Sequence, residues 1–278
     1  MVRAHRMAFA LVLSLLAGCG GPEKELPKDI TTPTDRGPEE TGVAVPAASQ
    51  PEAVKFVQTC IAAATESHPE RLEKLKGNQV VEKGQQLHGM SQVAVTRLIS
   101  AVWPDRFLFA DETNTDGLVK ISIGLNKNSL SFRKNGQSFD PGLPKGYEQV
   151  LLVDSVGQYW MQTLVPLADS KTILFGVRKQ TVAGQTWDTV QAAVPGCPVI
   201  TLWFNEKTHL LGVITYLHTE GISKLNKRLA VGEHKAFAGV LLPTRSEFER
   251  NGIVVETWAI SSWDFPEKIE DAVFDQSK

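Results

Sequence analysis

The chain of 278 residues has no apolar run long enough to cross a bilayer as a helix. The longest, Met7 to Gly18, would give about 18 Å of helix against a hydrocarbon core of about 30 Å. It has no basic surplus either: with Arg3 and Arg6 set aside as part of a leader, 27 basic residues face 31 acidic ones, so no electropositive surface for nucleic acid is expected. The hydrolase signatures are missing, since there is no Gly-x-Ser-x-Gly elbow and no Ser-x-x-Lys accompanied by its partner motifs. None of His68, His88, His209, His218 and His234 stands in a His-x-x-x-His or His-Glu-x-x-His spacing. The glycines from Gly142 to Gly146 lack both the strand before and the Lys-Ser/Thr pair after that a phosphate loop requires. No catalytic residue, metal ligand or cofactor is therefore expected. No repeat of fixed period is present.

The amino terminus reads as a targeting segment over residues 1–18. Arg3, His5 and Arg6 give a basic start, Met7 to Leu16 an apolar stretch, and Leu16-Ala17-Gly18-Cys19 a small-residue cleavage site. That tetrapeptide resembles the bacterial lipobox, and the resemblance implies cleavage before Cys19 and acylation of that cysteine. Three chains, at about 0.8 kcal/mol per buried methylene, hold a protein on a membrane permanently where one is marginal. Gly20 and Gly21 replace the aspartate that signals inner-membrane retention, which favours the outer membrane facing the periplasm. Residues 19–50 then form a tether: from Gly20 to Gln50 there are five prolines, no aromatic and few large aliphatics, too little to order the chain. As a coil it spans roughly 30 Å.

Residues 51–278 are long enough for one packed domain. Val54, Val57, Cys60, Ile61 and Ala64 recur at helical spacing, predicting an amphipathic helix over 51–76. After Gly77 the period changes to two, as in Val119, Ile121 and Ile123, and strands are expected at about 78–86, 92–101, 172–180, 186–193, 198–205, 209–217, 227–236 and 240–250. Asp116-Gly117, Asn135-Gly136 and Asn251-Gly252 mark tight hairpins, so consecutive strands run antiparallel. A second helix is predicted over Tyr147–Leu167, with Asp154, Ser155, Gln158 and Gln162 gathered on the side of the wheel away from its apolar residues. Gly157 costs it about 1 kcal/mol relative to alanine, so it needs the sheet for support. The fold class is α+β: a curved antiparallel sheet with two helices on one face. Cys60 and Cys197 could pair in an oxidising compartment or stay as free thiols. The acidic pairs Asp111-Glu112 and Glu247-Glu249 read as a solvated face, and His209 and His218, flanking one strand, as turn and surface positions.

Large apolar side chains crowd the strands: Trp103, Phe107, Phe109, Trp203 and Trp258 among them. A concave sheet lined by them could hold an acyl chain, whose sixteen carbons are worth about 12 kcal/mol gross on burial. The same residues could equally pack between sheet and helices.

The order of landmarks resembles the LolA/LolB-like family of lipoprotein carriers and their outer-membrane-sorting relatives. An opening helix leads to Trp103-Pro104-Asp105-Arg106-Phe107, and Thr201-Leu202-Trp203-Phe204-Asn205 follows with Thr208 and Leu211. Gly239-Val240-Leu241-Leu242-Pro243 comes next, then Trp258-Ala259-Ile260 running to Ile269-Glu270-Asp271-Ala272-Val273-Phe274. The resemblance implies an incomplete β-barrel closed by helices around an apolar cavity, and binding of lipid or lipoprotein acyl chains without catalysis. It implies an arginine that holds the helical lid shut, a role carried onto Arg106, which could instead tie down a turn. Trp103, Phe107, Phe109, Trp203 and Trp258 are the expected lining. A shuttle must be soluble, so an anchored chain is more similar to the family's receptor or to an envelope-stress sensor of the same fold. A periplasmic protein partner is the second expectation.

Overall fold

The computed structural model describes residues 44–114, 117–127, 129–143, 146–220 and 223–274. The leader, Cys19, most of the tether and Asp116 lie outside the described residues. Helix α1 (Pro51–Ala64) opens on Pro51, whose missing N–H costs nothing at that position, and buries Ala53, Val57, Cys60, Ile61 and Ala64. It ends earlier than expected. Thr65 Oγ1 folds back on the Ile61 carbonyl at 2.7 Å, Glu66 and Ser67 take positive φ, and Pro69 starts separate 3₁₀ turns over Pro69–Lys76 that bury Leu72 and Leu75.

Strands β1 (Gly77–His88), β2 (Ser91–Val102), β3 (Arg106–Asn114), β4 (Leu118–Asn126), β5 (Ser129–Lys134) and β6 (Gln137–Ser138) form a meander. After the helical segment come β7 (Ile173–Val182), β8 (Gln185–Ala193), β9 (Val199–Asn205), β10 (Leu211–Glu220) and β11 (Ser223–Gly232). The short β12 (Lys235–Phe237) and β13 (Val240–Leu242) pair with each other, and β14 (Arg245–Arg250) and β15 (Ile253–Asp264) close the series. The strand expected over 240–250 is two, divided at Pro243-Thr244, where the Thr244 N–H turns to the carbonyls of Gly232 and Glu233 at 3.2 Å. Asn135-Gly136 and Asn251-Gly252 both hold positive φ at each residue, as two-residue hairpins require.

Among the described residues thirteen strands make one antiparallel sheet in the order β6-β5-β4-β3-β2-β1-β15-β14-β11-β10-β9-β8-β7. It is an open barrel. The last strand, β15, lies between β1 and β14 and joins the two halves of the chain. One edge, β7, is covered by the residues before α1: Gln50 N–H donates to the Leu174 carbonyl at 2.8 Å, and Ser49 Oγ and Gln50 Oε1 accept from Leu174 and Gly176.

Tyr147–Ala168 is a broken helix. It comprises α2 (Tyr147–Asp154), a π-helical turn (Ser155–Tyr159), a 3₁₀ turn (Trp160–Thr163) and α3 (Val165–Ala168), with Leu164 left-handed at φ 61°. The π-turn sits where a Cβ on Gly157 would lie 2.5 Å from the Tyr216 ring, so the backbone comes closer to β10 than any other residue would permit. The segment touches both β4 and β10, seven places apart in the sheet, and the sheet curves around it. Trp160 and Met161 are fully buried there. Cys60 and Cys197 are both free thiols.

Candidate functional site

Between the curved sheet and the broken helix lies a cavity of about 90 Å³. Its apolar wall comes from alternate strand positions: Phe107 and Phe109 on β3, Phe248 on β14, Trp258 on β15, with Leu151 and Tyr159 from the helical side. The same alternation carries charge inward. Arg97 follows Val95 and precedes Ile99 on the buried face of β2, Glu82 follows Val80 on β1, Asp111 follows Phe109, and Glu256 precedes Trp258. Antiparallel register sets Glu82 opposite Arg97 and Arg97 opposite Asp111.

Arg97 is the hub of this group. Its Nε and Nη2 donate to the two Asp111 oxygens at 2.6 and 2.8 Å, and Nη1 donates to Glu256 Oε2 at 3.1 Å. Glu82 Oε1 is 3.7 Å from Nη1. The guanidinium carbon lies 4.2 Å from the Trp258 ring centre and 5.0 Å from that of Phe109. Three carboxylates thus share one guanidinium out of water. Burial pushes the Glu82 carboxyl up to about 8, since attraction to Arg97 is countered by Glu256 and Asp111. Glu82 therefore carries its proton at neutral pH.

A second charged group closes the helical side. Lys227 Nζ, fully buried on β11, donates to both Asp154 oxygens at 2.6 and 2.8 Å and to Glu220, and lies 3.4 Å from His218 Nδ1. Tyr216 donates to Asp154 Oδ1 at 3.1 Å. Burial works against the Asp154 charge, but the Lys227 ammonium, with His218 and Arg250, holds its carboxyl down at about 2. Asp154, His218 and Glu220 offer oxygen and nitrogen atoms within 4.8 Å of one another, the spacing of a metal tripod. Lys227 occupies that group instead and supplies the positive charge an ion would bring.

Of the residues singled out in the sequence, Phe107, Phe109 and Trp258 line the cavity. Trp103 packs edge-on against Trp160 at 5.4 Å and donates its indole N–H to Asp169 at 3.0 Å. Trp203 has the opposite parity from the inward Leu202 and Phe204 and joins Trp187 and Val213 in a cluster apart from the main core. Arg106 pairs with Asp271 and lies 5.6 Å from the Phe274 ring, so it ties the C-terminal segment to β3 and does not line the cavity. Two expectations are overturned. Asp111 and His218 were read as solvated, yet they are 6% and 8% exposed, because each completes a buried ion group. Sequence reasoning also missed Arg97, Glu82, Glu256 and Lys227, whose signal is a charge in the inward register of an otherwise apolar strand face. Asp154 and Gln162 were seen as the polar side of a helix, and that side lines the cavity.

No family model and no curated relative matches the chain. Solved structures do. A LolA superfamily protein from Nitrosomonas europaea is similar over 78% of this chain and 96% of its own, with a TM-score of 0.50 at 13% identity. A domain named for outer membrane lipoprotein sorting, from Vibrio parahaemolyticus, covers 81% and 97% with a TM-score of 0.46 at 9% identity. A DUF1329 family protein from Desulfovibrio piger covers 81% and 98% with a TM-score of 0.48 at 12% identity. The chain has the LolA-like open-barrel fold, which is what the landmarks in its sequence resemble.

Proposed function

We propose that this protein is a membrane-anchored envelope lipoprotein that binds lipid or lipoprotein acyl chains between its open sheet and the segment 147–168, without catalysis. The observation that carries the reading is the cavity under that segment, walled by Phe107, Phe109, Phe248 and Trp258. Apolar and aromatic walls with a few buried polar groups are what small-ligand sites generally consist of. At about 90 Å³ the cavity is well below the roughly 300–1,000 Å³ of ligand-sized pockets, so a chain enters as the helical segment moves off the sheet. The segment is made for such movement. Its helix breaks at a π-turn, a 3₁₀ turn and a left-handed Leu164, and each break is a hinge between short pieces. Cys19 supplies the anchor, and the stretch between it and Ser49 is long enough to set the domain about 30 Å from the headgroups, while Ser49 and Gln50 belong to the folded domain as its contact with β7.

Native mass spectrometry of the full-length chain carrying Cys19→Ser, before and after organic extraction, tests the binding. The expected result is an extractable mass matching phospholipid or fatty acid. A bare mass that stays bare after incubation with lipid rejects acyl binding and turns the fold toward a protein partner. For the anchor, the native chain should stay with the membrane fraction in high salt and the Cys19→Ser chain should leave it.

A further inference from the structure

The polar side of the cavity has an imbalance that an acyl chain alone does not resolve. Its cations are fully engaged: Arg97 by Asp111 and Glu256, and Lys227 by Asp154 and Glu220. Two of its acceptors are not. Gln162 is 8% exposed, its side-chain N–H₂ donates to the Gln158 carbonyl, and its Oε1 is buried with no hydrogen-bond partner. Glu82, 6% exposed, has Arg97 at 3.7 Å as its nearest cation, beyond hydrogen-bond distance. Both residues line the cavity; Glu256 and Asp154 line it too but already accept, Glu256 from Arg97 and Trp258 and Asp154 from Lys227 and Tyr216. A buried acceptor left unpaired is destabilising, so a ligand that fills this space is selected for what it donates.

We infer that the ligand's polar end is a primary ammonium group, received by Gln162 Oε1 and the Glu82 carboxyl. This rests on the acyl-chain reading for where the ligand lies and names its headgroup. Two observations converge on it. An anionic headgroup would meet the Asp111 and Glu256 carboxylates, which already outnumber the one guanidinium they share. A quaternary ammonium has no N–H for Gln162, whereas a primary one has three donors for the open acceptors. The proton that Glu82 holds lowers the local negative charge, and an ammonium does the same work while releasing that proton.

Two sources share this chemistry, an amine-headed phospholipid and a small free amine. The full-length chain carrying Cys19→Ser is titrated with phosphatidylethanolamine, phosphatidylcholine and phosphatidylglycerol of identical acyl composition, and separately with spermidine, read by native mass spectrometry and tryptophan fluorescence. Phosphatidylethanolamine should bind at least tenfold more tightly than the other two lipids. Gln162→Leu and Glu82→Gln should each erase most of that preference while keeping binding of the acyl chains; circular dichroism checks that they fold, and the wild-type lipid ranking decides the matter if they do not. Equal binding of all three lipids overturns the amine assignment and leaves the acyl-chain reading standing. Saturable spermidine binding with no lipid bound supports the amine site and overturns the lipid reading. Binding of none overturns both.

Discussion

Replacing Glu82 by glutamine keeps the shape of the side chain and removes its ability to ionise. In the folded protein the Glu82 carboxyl is raised to about 8 from an ordinary 4.5, first by burial and then by Glu256 and Asp111 acting against Arg97. The folded state therefore binds one more proton than the unfolded state between those two values, and stability falls as pH rises through the interval. Glu82→Gln should leave stability to urea unchanged near pH 4.5 and raise it progressively up to about pH 8, by a few kcal/mol at about 1.4 per pKa unit, with no further gain above that. An unchanged gap between the two proteins from pH 4.5 to 9 would contradict a buried neutral Glu82. Asp154 behaves in the opposite sense. It is held at about 2 by the Lys227 ammonium, so the pair contributes stability above pH 4 that disappears toward pH 2, about 2 kcal/mol for a shift of this size. Lys227→Ala should cost about 3–5 kcal/mol at neutral pH, because Asp154 and Glu220 would remain buried without a cation. Chemical denaturation of both proteins across pH measures the two effects together.

At the level of the element, the broken helix shows where sequence periodicity stops being informative. The apolar spacing over Tyr147–Leu167 finds a helical segment and its polar side correctly, but it gives no reason to break the helix at Ser155 or to turn Asp154 and Gln162 inward. Those facts come from Tyr216, sixty residues away, which fills the space a side chain at Gly157 would need. A Cβ there would stand 2.5 Å from the ring. Gly157→Ala should therefore destabilise by about 1–3 kcal/mol despite alanine's better helix propensity, since overpacking outweighs the propensity gain of about 1 kcal/mol. Adding Tyr216→Leu to Gly157→Ala should recover part of the loss, and a thermal double-mutant cycle reads the coupling; additive effects would mean the two do not meet. Strands were easier to find because a period of two is local. The hairpins at Asn135-Gly136 and Asn251-Gly252 were legible for the same reason, as turn chemistry resides in two residues. The charged side of the cavity was written in the strands as well, in the parity of Arg97, Glu82, Asp111 and Lys227. A charge in an inward register reads as a flaw until its partners on neighbouring strands are known, and register between β15 and β1 cannot be inferred from residues 170 positions apart.

Across the whole molecule, that distant pairing holds the open barrel together. β15 bonds to β1 on one side and β14 on the other, so the sheet is continuous only when both ends of the chain are folded. The segment 147–168 is inserted between the halves and reaches them through side chains, Tyr159 to Asn78 on β1 and Asp154 to Lys227 on β11, with no strand ladder to the sheet among the described residues, which makes it the part that can move while the sheet stays intact. The two free cysteines lie on different parts of this arrangement. Cys60 is wholly buried under α1, in the main core. Cys197 is half-buried beside α2: Gln149 donates to the carbonyl of its neighbour Gly196, and burial followed by the Asp154 charge pushes the Cys197 thiol up to about 12. Neither thiol should react quickly in the resting protein. If lipid enters by lifting the helical segment, Cys197 loses both its cover and its neighbouring carboxylate, and its labelling by a neutral thiol reagent should accelerate severalfold with added lipid. Cys60 labelling should not change, because α1 stays on the sheet. Mass spectrometry of the labelled protein distinguishes the sites: acceleration at both cysteines would mean general loosening, and acceleration at neither would mean that the cavity fills without the segment moving.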